Sequence, residues 1–405
     1  MPILTLQELD LLGKKVLMRV DFNVPLNKEG TIIDNTRIKE SIPSIAYIIK
    51  AGGSVILMSH LGRPNGRKDP LLSLKPCVQE LSQLLKIPVQ MAKDCVGEEV
   101  SSQAHNLKAG EVLLLENLRF YPAEEKPSLD PLFAKQLASF ADLYVNDAFG
   151  TAHRNHSSTC AVASYFPGKA AAGLLLQKEI QALTSLLINP KRPFFALIGG
   201  AKISTKLGVL KALASKTEAL FVGGAMAFTF FKALGIKIGS SPHEDDQLEA
   251  ASALIALCQK KQIPLHLPTD LVIADAFSNE ATTQIVNLSQ GIPDGWEGMD
   301  IGPQTCKNWS LALKEAATIF WNGPFGVFEF PRFSQGTRHI AKVLSKLKAL
   351  TVVGGGDSVA AVNQWGFASQ FTHVSTGGGA ALEYIEYGHL PGIDALSNIN
   401  STVAK

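Results

Sequence analysis

Short apolar runs rich in β-branched residues recur along the chain, and each breaks off at glycine, proline or a polar cluster. In the first half they cover residues 15–20, 54–58, 111–115 and 143–145. In the second half they cover 194–198, 220–222, 319–322 and 350–353, with a shorter one just before Ser375. Such runs read as buried strands. Between them lie segments of helical spacing. Arg37 opens one that continues through Ile42, Ile45 and Ile49, and Leu175, Leu176, Ile180, Leu183 and Leu187 mark another that Asn189-Pro190 ends. Strands alternating with helices imply parallel βαβ units. The expected fold class is therefore α/β, with two doubly wound, Rossmann-like parallel-sheet domains joined by a helix and a cleft between the domains. A chain of 405 residues is too long for one core. The expected division is residues 1–173, a connecting helix at 174–189, and residues 190–391, followed by a tail at 392–405.

Ligands of parallel sheets bind beyond the carboxyl ends of the strands. In the first half those ends carry Asp21, Asn23, His60, Arg63, Arg119, His153, Arg154 and His156, and Arg37 can join them from its helix start. Three arginines, each just past a different strand and accompanied by His or Asn, point to a small anion, because the planar guanidinium fork grips phosphate or carboxylate bidentately. A zinc site built from the histidines is the other reading, but no Cys or carboxylate stands at ligand spacing.

The second half differs in kind. Its strands run into Gly199-Gly200-Ala201-Lys202, Gly223-Gly224-Ala225, Gly354-Gly355-Gly356-Asp357-Ser358 and Gly377-Gly378-Gly379. Unpaired N–H groups at a helix start favour an anion, and glycine lets a phosphate approach the backbone. One such turn is weak evidence, but the repetition predicts a phosphate-rich ligand along one sheet edge. Lys202 and Lys206, four apart, are expected to share a helical face pointing at one phosphate. Asp357 is expected to hold Mg²⁺.

Composition narrows the partners. Hydrophobic content of 46% with 18% charged residues describes a globular chain, and a net charge of +2 without a basic tail argues against a nucleic-acid surface. No apolar run approaches the roughly 20 residues that span a bilayer. The first residues lack the charged-then-apolar layout of a signal peptide. Five scattered cysteines, never in Cys-x-x-Cys spacing, fit reduced thiols in a cytoplasm.

A cationic half and a glycine-turn half together suggest phosphoryl transfer between a nucleotide and a small anion. The P-loop motif, the G-x-G-x-x-G fingerprint and the protein-kinase H-R-D loop are all missing, which weakens an NAD dehydrogenase as the second reading. The segments 19–25, 59–64, 116–120, 146–154, 199–202, 321–324 and 354–357 instead resemble phosphoglycerate kinase, in order along the chain.

That resemblance implies two similar-sized α/β domains with the tail returning to the first. It assigns Asp21, Asn23, Arg37, His60, Arg63, Arg119 and Arg154 to 3-phosphoglycerate or 1,3-bisphosphoglycerate. It assigns Lys206, Gly298, Asn322, Glu329, Gly355, Gly356, Asp357 and Ser358 to Mg-ADP or Mg-ATP, with Glu329 on the ribose. Arg37, Lys202, Lys206 and the helix start at Gly378 would relieve repulsion between the anions. Asn155 and Ser157 depart from the family pattern beside Arg154 without touching the matched positions. The acceptor carboxylate, with a reference pKa of about 3.5, is already ionised and needs no general base. The expected enzyme is a cytoplasmic monomer that closes its two domains around the ligands.

Overall fold

In a computed structural model, residues 3–400 are described. The first sheet contains β1 (Lys15–Arg19), β2 (Ser54–Met58), β3 (Val89–Met91), β4 (Val112–Leu114), β5 (Leu143–Asn146) and β6 (Ala170–Ala172). They lie in the order β3-β4-β2-β1-β5-β6, and every pairing is parallel. The later strands are β7 (Phe194–Ile198), β8 (Ala219–Val222), β9 (Leu265–His266), β10 (Asp270–Ala274), β11 (Thr283–Asn287), β12 (Glu297–Ile301), β13 (Thr318–Asn322), β14 (Leu350–Gly354) and β15 (His373–Val374). Six of these form a second parallel sheet, β15-β14-β13-β7-β8-β9. The α/β class with two parallel sheets follows directly from the sequence pattern.

Every residue of β2, β5, β6, β7, β8 and β13 is buried. This explains why these strands read as continuous apolar runs and not as alternation: parallel strands are covered on both faces. The helix Thr36–Lys50 turns Ile38, Ile45 and Ile48 into the same core as Val16, Met18 and Val55, which fixes Arg37, half-buried, in its first turn.

The pattern did not disclose a third sheet. Strands β11, β10 and β12 pair antiparallel, with β10 central. β10 carries an apolar run of only four residues, and β11 and β12 mix polar residues into theirs, β11 burying only Val286, so they do not stand out from loop.

The chain folds as two compact units, Met1–Gln181 with His389–Lys405, and Ala182–Gly388. The division falls inside the helix Leu174–Leu187, not at its end. That helix stops short of Asn189, whose φ of 54° is left-handed and breaks the winding. The helix Pro391–Asn400 belongs to the first unit, where Gly392 N–H donates to the Ala152 carbonyl at 2.8 Å. Residues 401–405 of the expected tail lie outside the described residues. No described helix is long and apolar enough to cross a membrane.

In the second unit the chain leaves β7 outward through β8 and β9, then resumes on the other side of β7 with β13, β14 and β15. The reversal sits between β7 and β13, and a parallel sheet opens its ligand crevice at such a point.

Candidate functional site

The first unit collects its side chains just beyond β1, β2 and β5. The Asp21 carboxylate pairs with the Arg37 guanidinium. Asn23 Oδ1 accepts from Gly62 N–H at 2.9 Å, tying the end of β1 to the loop after β2. Arg119, on the 3₁₀ turn Leu118–Phe120, donates from Nη1 to the Gly62 carbonyl at 2.7 Å. Its Nε lies 3.1 Å from Glu125 Oε1, an ion pair whose angle does not make a hydrogen bond, so Nε and Nη2 remain buried without an acceptor. Arg154 is half-buried beside His153.

His60 is buried, and its pKa is pushed well below the usual imidazole value, first by burial and then by Arg19, Arg119, Arg154 and Arg37. His156 is driven down to about 3 by burial and by three of the same arginines. The fold therefore brings four guanidinium groups around neutral imidazoles. Arg63, by contrast, is exposed at the rim. His156 Nδ1 is buried 3.8 Å from Glu124 Oε1, too far for a hydrogen bond. A cluster of buried polar atoms lacking partners is the mark of a site waiting for a polar ligand.

The second unit builds its site from backbone. Gly200, Gly224, Gly298, Glu329 and Asp357 line a cavity of about 310 Å³ whose apolar walls include Phe228, Leu271 and Phe277. At the reversal point the turns after β7, β8 and β13 press on one another. Gly199 N–H donates to the Asn322 carbonyl at 2.8 Å, and Gly200 N–H to the Pro324 carbonyl at 2.9 Å. Asn322 Oδ1 accepts from Lys206 Nζ at 2.7 Å, while its Nδ2 is buried with no partner. Gly355 has φ 94°, and a Cβ there would stand 2.7 Å from that same Nδ2. Ser358 Oγ accepts from Gly323 N–H, so its hydroxyl holds the loop after β13. Gly356 and Asp357 occupy the first turn of the helix Gly356–Gln364, with Asp357 exposed. Gly378 caps the helix Gly379–Tyr387 with φ 51° and does not line the cavity.

The two lysines do not share a helical face. The helix begins only at Leu207, and residues 201–206 form a turn with Lys206 as its N-cap. Gly199 explains the delay: a Cβ there would meet the Pro324 carbonyl oxygen at 2.1 Å, so the chain leaves β7 pinned against neighbouring backbone and cannot wind at once. As a result Lys202 is exposed, whereas Lys206 turns inward and also donates to the Gly199 carbonyl at 2.6 Å. Burial pulls the Lys206 ammonium down to about 8 against the opposing influence of Asp357.

Among the described residues no three His, Cys, Asp or Glu side chains are grouped to hold a metal. Asp357, an exposed carboxylate in the first turn of its helix, fits a magnesium ion that keeps most of its waters. The sequence pattern missed the cavity walls Phe228 and Phe277 and the buried Arg19 beneath His60. Phe277 could have been noticed as an aromatic stranded in a polar turn; Arg19 reads as an ordinary strand end.

Relatives match this chain over nearly their full length. The sequence profile described as Phosphoglycerate kinase matches residues 6–388. A phosphoglycerate kinase of Moorella thermoacetica is 52% identical over 394 residues, covering 97% of this chain and 99% of that protein. The cytosolic phosphoglycerate kinase of Triticum aestivum is 52% identical over 395 residues, 97% of each. The solved phosphoglycerate kinase of Coxiella burnetii superimposes with a TM-score of 0.87 at 38% identity, covering 98% of this chain and 99% of that one. With the arginine basin, the glycine-turn cavity and these matches in agreement, the chain belongs to the phosphoglycerate kinase family.

Proposed function

We propose that this chain transfers a phosphoryl group reversibly between 1,3-bisphosphoglycerate and ADP, giving 3-phosphoglycerate and ATP, with the three-carbon acid in the first unit and the nucleotide in the second. The observation that carries this division is a pair of buried, unpartnered nitrogens: Arg119 Nη2 in the basin and Asn322 Nδ2 beside the cavity. Each lacks a partner that a ligand would supply.

The reaction needs little covalent help from the protein. The carboxylate that receives the phosphoryl group is already ionised, so the obstacle is repulsion between anions, which positioned cations and backbone dipoles relieve. Arg37, with its side chain 38% exposed and Asp21 as counter-ion, keeps charge available for the transferring group. Lys206 and the glycine turns would face the nucleotide phosphates, Glu329 the ribose, and Gly378 the transferring group through its helix start. Magnesium held by Asp357 would neutralise phosphate charge when bound. Transfer also needs the two ligands brought together and water kept out, and closure of the units about the helix Leu174–Leu187 is the means we assign. All five thiols are unpaired, which supports a reducing cytoplasm as the setting; a monomer is the state we assign to it.

Calorimetry on two variants tests the division. Asp357→Asn should weaken Mg-ADP about tenfold and leave 3-phosphoglycerate binding unchanged; Arg63→Ala should do the reverse. Equal weakening of both ligands by either variant would show the site to be divided wrongly. Scattering profiles indifferent to both ligands together would remove closure.

A further inference from the structure

Beneath the basin lies a buried polar network that no role above uses. Arg19, the last residue of β1, has 0% exposure. Its Nε donates to Ser158 Oγ at 2.8 Å, and its Nη1 donates to the Val20 carbonyl. Ser158 Oγ in turn donates to Glu124 Oε1 at 2.6 Å, and the Ser158 N–H donates to Glu124 Oε2 at 3.1 Å. The fully buried Glu124 carboxylate stands 4.0 Å from Arg19 Nη2 as its counter-ion. The guanidinium is thus held in one orientation, and that orientation puts Nη2 at 3.1 Å from His60 Nδ1.

A guanidinium has five donors and no acceptor. The ring nitrogen that faces it must supply a lone pair, so the proton of a neutral imidazole sits on the other nitrogen. We infer that Arg19 fixes His60 as the neutral Nε2–H tautomer, so that His60 offers the basin a hydrogen-bond donor and not a fifth cation. Arg19 is then a positioning residue for the three-carbon acid, and this step rests on the assignment of that acid to the first unit.

The group that could reverse the tautomer is Asp21, whose Oδ1 is 3.9 Å from the same Nδ1. That distance is too long for a hydrogen bond, and the carboxylate is already paired with Arg37. The surrounding guanidiniums of Arg119 and Arg154, like burial itself, act against an imidazolium. A neutral donor also serves recognition better. It is directional, and it adds contact to an oxyanion without raising the repulsion among cations already gathered there.

Nitrogen NMR of isotope-labelled histidine in the ligand-free enzyme reads the tautomer directly, with His60→Gln identifying the signals. The expected spectrum has a protonated Nε2 and an unprotonated Nδ1 that do not titrate between pH 6 and 8. An Nδ1–H tautomer, or an imidazolium at pH 7, would overturn the inference. Arg19→Lys keeps a charge but loses the fork; it should raise the KM for 3-phosphoglycerate about tenfold, mix the tautomers and leave the KM for Mg-ATP alone. Should that variant not fold, the wild-type spectrum still decides. A second pair separates position from packing: the amide nitrogen of His60→Gln can reach the Nε2 position, and that of His60→Asn only the Nδ1 position. Better 3-phosphoglycerate binding by His60→Asn would count against Nε2 as the donor. Addition of 3-phosphoglycerate should shift the Nε2 signal; its failure to do so would strike the substrate assignment while leaving the tautomer measured.

Discussion

The two units present positive potential to their ligands by opposite means. In the first it is carried on side chains: Arg37, Arg119 and Arg154 reach in from a helix start, a 3₁₀ turn and the segment after β5. In the second it is carried by backbone at the helix start after β14, where Gly356 and Asp357 open the first turn, with Lys206 as the half-buried cation at the reversal point. The difference fits the ligands proposed for the two units. A small acid with a charge at each end is gripped by forks at separate points, whereas a row of phosphates lies along a surface with no side chains in the way. It also teaches where each unit is vulnerable: the first fails when a side chain is removed, the second when one is added.

Arg37→Ala should break the first kind of site most severely. Removal of one donor to transition-state charge costs roughly 3–4 kcal/mol in comparable sites. Steady-state kinetics should show kcat lower by about two to three orders of magnitude with a smaller change in KM. A near-normal kcat would leave Arg37 as a partner of Asp21 and nothing more.

Gly355→Ala tests the second kind. The backbone there has φ 94°, and the new methyl carbon would sit 2.7 Å from Asn322 Nδ2. With ψ 136° the position lies outside the αL well, in backbone open almost only to glycine, and an alanine there costs about 1–3 kcal/mol before the clash is counted. Mg-ADP affinity should fall about ten- to thirty-fold, with 3-phosphoglycerate affinity unchanged. Unaltered nucleotide binding would mean that the turn plays no part in holding it.

The smallest effect is a difference in pH response. Arginines stay charged throughout the working range, so 3-phosphoglycerate affinity should be flat from about pH 7 to 9. Lys206 loses its proton near a pH of about 8 because burial lowers its pKa, so the anion's partner disappears as pH rises. Mg-ADP affinity should fall several-fold over that interval, and Lys206→Arg should flatten the curve. The folding linkage has the opposite sign: an ammonium depressed in the folded state favours folding increasingly as pH rises from about 8 towards its unfolded value. A binding decline that survives Lys206→Arg would assign the titration elsewhere.

Much of this contrast was legible in the sequence because both devices sit at strand ends, and buried parallel strands announce themselves as apolar runs. Asp21, His60, Arg119 and Arg154 could be placed in one basin from that rule alone, as could the glycines after β7, β8, β14 and β15. What escaped depended on contacts distant in sequence. Lys202 and Lys206 have perfect helical spacing, yet Pro324, far along the chain, keeps residues 201–206 in a turn. Arg19 looks like a strand residue until Ser158 and Glu124 close around it. The antiparallel sheet β10–β12 stayed hidden because β11 and β12 mix polar residues into their runs, so pairing with the apolar β10, not their own pattern, defines them.

The interlocked turns of the second unit also bear on how this corner can change over generations. A Cβ at Gly199 would strike Pro324 O at 2.1 Å, one at Gly323 would strike Gly199 O at 2.3 Å, and one at Gly224 would strike Gly200 N at 2.6 Å. Each glycine is the space its neighbour occupies. A lineage can exchange an arginine at the rim of the first unit one step at a time and drift through weaker intermediates. In this lattice of backbone no single step is mild, and a compensating change at one turn tightens another. Drift here stalls at the first move, so new nucleotide preferences are expected to arise from the cavity walls, such as Phe228 and Phe277, and not from the turns.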